Sequence, residues 1–217
     1  MYSLPIFPLN AVLFPGTPLQ LHIFEDRYKK MIGECIDTQA PFGVVLIRKG
    51  VEANGPLAEP YDVGCTAEII KVEKLDLGRM NILAIGQERF RIRTLDFQAQ
   101  PYLVGNVDSL IFAKREKADG ELAASHLHDR LLRYLQYFIE PGSTGLDPAN
   151  LPVDPLQLAY LASALMQIPA EEKQELLEVA DEISLIDDVN QILRRELVII
   201  ERMAREETSQ TLPFSMN

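Results

Sequence analysis

Three histidines, two cysteines and one run of alternating arginines are the side chains whose types and spacing bear on chemistry in this sequence. His22 stands in Gln20-Leu-His-Ile-Phe24, next to Glu25 and Asp26. An imidazole beside a carboxylate can act as a general base, provided a nucleophile or a held water lies within reach. The sequence supplies no such partner, so the expectation for His22 is an orienting hydrogen bond at a strand-to-helix corner. His126 and His128 fall two apart on a predicted helix, about 200° around its axis, and do not face one ion together. Cys35 and Cys65 lie outside any C-x-x-C pair and read as small buried side chains in a reducing compartment. Arg89, Arg91 and Arg93 recur at every second position, which on a strand spaces guanidinium groups about 7 Å apart on one face. That stripe is the candidate partner-binding set, suited to phosphates or an acidic peptide. The competing reading is a solvated face whose charges meet cross-strand glutamates such as Glu68, Glu73 or Glu88.

No phosphate cradle of the G-x-x-x-x-G-K-[ST] or G-x-G-x-x-G kind occurs, and neither G-x-S-x-G nor H-E-x-x-H is present. Catalytic residues, cofactor and metal are therefore each assigned as none.

These side chains must be held by elements of two kinds. Over residues 1–113 the grammar is that of strands. Pro5, Pro8, Pro15 and Pro18 cut the start into short extended pieces, because proline fixes φ and has no N–H to give. Phe42 to Ile47 is an apolar run bounded by Pro41 and Lys49-Gly50, as in a buried strand. Thr66 to Leu75 and Arg79 to Ile85 flank Asp76-Leu-Gly78, a hairpin turn with glycine ready for positive φ. Gly86-Gln-Glu88 is expected to turn the chain again, into a strand whose Phe90 and Ile92 face away from the arginines. Tyr102 to Phe112 adds another strand. The helical exception is Glu25 to Asp37, with Tyr28, Met31, Ile32 and Cys35 on one stripe. About six strands and one helix predict a small closed or nearly closed β-barrel.

A charged segment, 114–120, then reads as a linker, and residues 121–217 change to helical spacing. Leu127, Leu131, Leu135 and Phe138 line one face, and 140–152 form a turn-rich loop. Asp154-Pro155 has the pattern of an N-cap with proline at the first helical position. Pro169 opens a further helix, and Ser184-Leu-Ile-Asp187 resembles a capping box before a long helix to about Glu207. The prediction is an α+β chain: a barrel subdomain over 1–113 and a four-helix, bundle-like subdomain over 121–217. The groove between them, edged by 114–120 and 140–152, is the natural surface to test.

With 217 residues, 47% of them hydrophobic, the chain can bury about 70% of its unfolded surface and needs neither disulfide nor metal to fold. Lys and Arg number 21 against 32 Asp and Glu, a net charge of −11, which disfavours non-specific binding to nucleic acid or anionic membrane. Residues 1–113 carry −2 of this and residues 114–217 carry −9. The Glu171–Asp188 run, with eight acids and one base, reads as a solvated helix face. The N-terminus has no cationic start and is broken by prolines, so it is not a signal peptide, and no apolar stretch is long enough to span a bilayer. A cytoplasmic protein is expected, with no membrane partner; a homo-oligomer is compatible with the sequence.

Several stretches carry a resemblance. Leu4-Pro-Ile-Phe-Pro-Leu-Asn-Ala-Val-Leu-Phe-Pro-Gly16, followed by Leu19-Gln-Leu-His-Ile-Phe-Glu-Asp-Arg-Tyr28, resembles the opening of the Lon protease N-terminal, substrate-binding domain family. Phe42-Gly-Val-Val-Leu-Ile47, Val63-Gly-Cys-Thr-Ala-Glu-Ile69, Gly78-Arg-Met-Asn-Ile82 and Gly86-Gln-Glu-Arg-Phe-Arg-Ile92 are similar to it too. So are Leu151-Pro-Val-Asp-Pro155 and Glu172-Lys-Gln-Glu-Leu-Leu-Glu178 in the helical half. The resemblance implies a PUA-like β-barrel followed by a helical bundle, with Phe7, Phe14, Phe24 and Phe90 filling the barrel. It implies no catalytic residues. In full-length Lon the domain precedes an ATPase module and a Ser–Lys peptidase domain; this sequence stops at Asn217, which implies a member that hydrolyses neither ATP nor peptides. The expected function is a non-enzymatic protein- or peptide-binding module, an adaptor in protein quality control, with polypeptide substrates or a partner protein as ligand. The alternative is an RNA-binding PUA-like protein that uses the Arg89/Arg91/Arg93 face.

Overall fold

A computed structural model of the chain describes residues 1–52, 55–112, 120–138 and 151–210. The predicted linker up to residue 119, and all but two residues of the 140–152 loop, lie outside these, and so does the groove they would edge. Among the described residues, six strands and five α-helices follow in order. They are β1 (Tyr2–Leu9), β2 (Pro18–Ile23), α1 (Asp26–Thr38), β3 (Phe42–Lys49), β4 (Glu59–Lys74), β5 (Met80–Asp96), β6 (Leu103–Ser109), α2 (Gly120–Leu135), α3 (Pro155–Leu165), α4 (Ala170–Glu178) and α5 (Glu182–Gln210). The strands form one mixed sheet in the order β2-β5-β4-β3-β1-β6, and β6 also pairs with β5. That last pairing closes β5, β4, β3, β1 and β6 into a five-stranded barrel and leaves β2 outside the ring. Strand β1 tolerates its prolines because Pro5 pairs only with β6 and Pro8 only with β3, so each stands where one side has no neighbour.

The barrel closes around Phe90, which is fully buried with Leu4, Ile6, Val45, Leu103 and Val107. Its ring fits because two neighbours lack side chains: a Cβ on Gly64 would stand 2.7 Å from the Phe90 ring and 2.3 Å from the Val44 carbonyl. A second cluster joins β2, β3, β4 and β5 to α1, whose Tyr28, Met31, Ile32 and Cys35 are the four buried positions of its stripe. Tyr28 stacks on Phe7 with ring centroids 4.0 Å apart. Phe7 and Phe14 are also buried; Phe24 is not, and stays 45% exposed beside His22.

Two sequence expectations change here. Gly86-Gln-Glu88 is not a turn: β5 runs without a break from Met80 to Asp96, with a bulge where Ala67 faces Gly86 but Cys65 faces Arg89. The extra residue lies at Gln87–Glu88, opposite Thr66, whose hydroxyl accepts the Glu88 N–H at 3.0 Å. The long C-terminal helix starts at Glu182, and its capping residue lies three residues before the predicted one: Asp181 receives the Ser184 N–H at 3.0 Å and the Ser184 hydroxyl at 2.9 Å. The Asp154 cap is as expected, its carboxylate accepting the Gln157 N–H at 2.9 Å.

Chain contacts divide the molecule into two compact units, Met1–Ala113 with Ser163–Ala180, and Lys114–Ala162 with Asp181–Asn217. The segment around α4 thus belongs with the barrel, not with the other helices: Gln174 donates from its amide to the Val63 carbonyl of β4 at 3.0 Å. In the second unit α2 packs on α5 through Leu127, Leu131 and Tyr134 and the i, i+4 series Leu185, Val189, Leu193 and Leu197. Arg133 pairs with Glu201 across them at 2.6 Å. The redistribution changes the charge reading. The barrel unit carries 12 basic and 17 acidic groups, net −5, and the helical unit 9 and 15, net −6. The acidity is shared, and the Glu171–Asp188 run is split between two helices instead of lining one face.

Candidate functional site

The arginine stripe does not exist as a surface. Beyond the bulge at Gln87–Glu88 the alternation holds, with Phe90 and Ile92 in the barrel core, but Arg89 on the other face is only 4% exposed, because the end of α4 and Phe112 cover it. Its guanidinium donates to the carbonyls of Leu177 at 2.9 Å and Val179 at 2.7 Å, the last carbonyls of α4, and lies 3.6 Å from the Phe112 ring centroid. It is a C-terminal helix cap that holds α4 to the barrel. Arg93 is exposed and donates to Asp108 at 2.8 Å, and the N-terminal amine sits 3.3 Å from the same carboxylate. The Arg93 hydrogen bond and the N-terminal charge hold the Asp108 carboxyl below the usual aspartate range. Arg91 is half-buried between them. One residue of the predicted set is structural and one is neutralised.

His22 does not meet Glu25 or Asp26 either. Those carboxylates pair with Arg27 at 2.9 Å and Lys29 at 2.6 Å. Instead Asn81, opposite His22 in the β2–β5 register, donates from Nδ2 to Glu73 at 3.0 Å, which turns its Oδ1 to His22 Nδ1 at 2.7 Å. Nδ1 therefore carries the proton. The imidazole is oriented by a neutral amide and not by a carboxylate, and no serine, threonine or cysteine lines the groove around it. Exposed His126 and half-buried His128 lie on α2, the latter 3.7 Å from Asp129. Among the described residues no three histidines, cysteines or carboxylates gather as a metal site would require. Cys35 and Cys65 are free, buried thiols; burial pushes the first up to about 11 and the second to about 12.

The concave surface lies where the sheet outgrows the barrel. Strand β3 pairs with β4 only as far as Phe42 against Ala67, whereas β4 and β5 continue together to Lys74 and Met80, joined by the turn at Asp76–Gly78. With β2 added outside β5, this makes a three-stranded extension. A one-residue bulge between Ile69 and Lys71 resets the pleat, so that Ile69 and Val72 both turn to the core while Lys71 and Glu73 turn out. The outward face, Gln20, His22, Asn81, Leu83, Lys71 and Glu73, lines a groove of about 500 Å³. Along the free side of β4 runs a second groove of about 460 Å³, walled by Glu68–Val72 on one side and by Cys35, Ile36, Gln39 and Ala40 of the α1 terminus on the other. Gln39 ends α1 in the left-handed region at φ 53°, and the Gln39 and Ala40 N–H groups return to the Ile36 and Cys35 carbonyls. The α1 end is thereby satisfied within itself and leaves the β4 edge open. Sequence reasoning missed this site because no motif marks it; the available signal was the length mismatch between a long predicted hairpin and the short strand beside it.

A small closed barrel with one helix tucked against it, and a second unit made of helices, define an α+β class of domain with no catalytic constellation among the described residues. The family model for the substrate-binding domain of ATP-dependent protease La (LON) matches residues 3–195, and the chain belongs to that family. A Lon protease from Roseiflexus castenholzii is 31% identical over 96% of the chain, and Lon protease 2 from Myxococcus xanthus 29% identical over 91%. The chain spans about a quarter of the length of these curated relatives. Among solved structures, a Lon N-terminal domain protein from Xanthomonas campestris is 25% identical with a TM-score of 0.64, covering 87% of this chain and 97% of that one. The N-terminal domain of a Mycobacterium avium complex Lon protease, at 18% identity and a TM-score of 0.66 over 89% and 98%, shares the fold. No described helix is long and apolar enough to cross a membrane.

Proposed function

We propose that this chain is a non-catalytic polypeptide-binding module that captures unfolded segments and presents them to a protease or another machine, an adaptor in protein quality control. The observation that carries this reading is the match of a substrate-binding domain family over residues 3–195. Two features support it. The chemistry-bearing side chains are engaged in structure: Arg89 caps α4 and His22 is held by Asn81. The concave surfaces lie on a sheet extension that offers backbone and apolar side chains together, which is what a sequence-tolerant polypeptide site requires. No observation favours RNA, since the arginine stripe is dismantled and both units are net acidic. The test is fluorescence anisotropy of a labelled protein, kept unfolded by reduction and carboxymethylation, against the same protein in its native state. Saturable binding of the unfolded form alone is expected; binding of neither form removes the proposal.

A further inference from the structure

We propose that an extended polypeptide segment binds by adding a strand along Glu68–Val72, the free side of β4, with its side chains entering the groove beside α1. This rests on the polypeptide-binding reading and names the mode of capture. In the closed ring each strand has two neighbours, but beyond Ala67 β4 has β5 on one side and, among the described residues, no strand on the other. Backbone donors and acceptors on such an edge are satisfied by another extended backbone, which here pairs on either side of the bulge at Ile70. The approach is not sealed by the strand that stops short of it, because Pro41, just before Phe42, has no N–H to continue the β3 ladder.

The surroundings specify the occupant further. A groove of about 460 Å³ has room for side chains of an added strand on the side facing α1, and Ile36, Ala40, Ile69, Ile70 and Val72 give it apolar walls. Ile70, at the bulge, is 55% exposed, a large apolar side chain directly on the edge. Glu68 and Lys71 stand at the rim with opposite charges, so the groove sets no strong charge requirement. A strand beside a helix with a groove between them selects an extended segment with apolar residues at alternate positions and is indifferent to their identity. Unfolded chains present such segments, and folded proteins conceal them.

The probe is a fluorescein-labelled peptide of alternating valine and threonine with lysines at its ends, titrated against the full chain by anisotropy. Its counterpart carries N-methyl groups on alternate backbone amides, which preserve the side chains and remove donors from one edge. We expect the methylated peptide to bind at least about tenfold more weakly. Ala40→Arg, at an exposed position whose substitution projects a long side chain into the groove, should weaken the unmodified peptide by a similar factor without lowering Tm. If this variant does not fold, the peptide pair decides alone. Equal binding of the two peptides overturns strand addition. So does sedimentation showing the free chain to be a dimer that Ala40→Arg dissociates, because the occupant is then a second copy. The carboxymethylated unfolded protein separates the two levels of the proposal. If it binds the wild-type chain while the peptides do not differ, strand addition fails and polypeptide binding stands; if it does not bind, both fail.

Discussion

Replacing Arg89 by methionine keeps the side chain's length and removes its donors. The carbonyls of Leu177 and Val179 then lose a charged partner in a buried setting, a loss of about 2–4 kcal/mol. Urea denaturation should show the lower midpoint, and Arg89→Lys should recover little of it, since an ammonium does not reproduce the fork or its stacking on Phe112. An unchanged midpoint for Arg89→Met would remove Arg89 from its capping role. The thiols give a second prediction. With Cys35 and Cys65 pushed up to about 11 and 12 by burial, neither is a thiolate at pH 8, and iodoacetamide should label both only after unfolding. Asp188 tests electrostatics in the helical unit. Burial and the nearby Asp187 and Asp181 raise its carboxyl. The native state therefore holds that proton more tightly than the unfolded state, and the charged form is the destabilised one. Asp188→Asn should raise Tm slightly at pH 7, and the gain should fade as pH drops through the raised value and be gone below about 4, where the wild-type group becomes protonated in the unfolded state as well.

At the scale of elements, the β4–β5 turn places Leu77 at φ 60° with 85% of its side chain exposed, followed by Gly78 at φ 70°. Leu77→Asn supplies the residue that tolerates this region and should stabilise by about 0.5–1 kcal/mol in thermal unfolding. Gly64→Ala acts in the opposite sense. Its methyl meets the Val44 carbonyl and the Phe90 ring, and the overpacked barrel should lose about 1–3 kcal/mol. Much of this layer was legible in residue types. The stripe Tyr28, Met31, Ile32, Cys35 places α1 within one residue at each end, because a buried helical face imposes its period directly. Asp154-Pro155 marks the start of α3 for the same local reason. What was not legible depends on a distant partner element. Period-2 alternation puts Phe90 and Ile92 in the barrel, but it does not say what covers the opposite face; the end of α4 packs there, buries Arg89 and turns an expected binding stripe into a clamp. Phe24 and the His22–Asn81–Glu73 chain are likewise set by the β2–β5–β4 register, which no local pattern encodes.

For the whole molecule, the outcome is a barrel unit that recruits α4 from the distant part of the chain and a helical unit built on α2 and α5, each net acidic. That charge disfavours polyanions and is compatible with the polypeptide ligand proposed above. Hydrogen exchange of the full chain, with and without a saturating reduced and carboxymethylated unfolded protein, tests this most directly. The account predicts slower exchange of amides in Glu68–Val72, where an added backbone supplies acceptors, with little change on the closed part of the barrel. Exchange unchanged throughout the chain would contradict it.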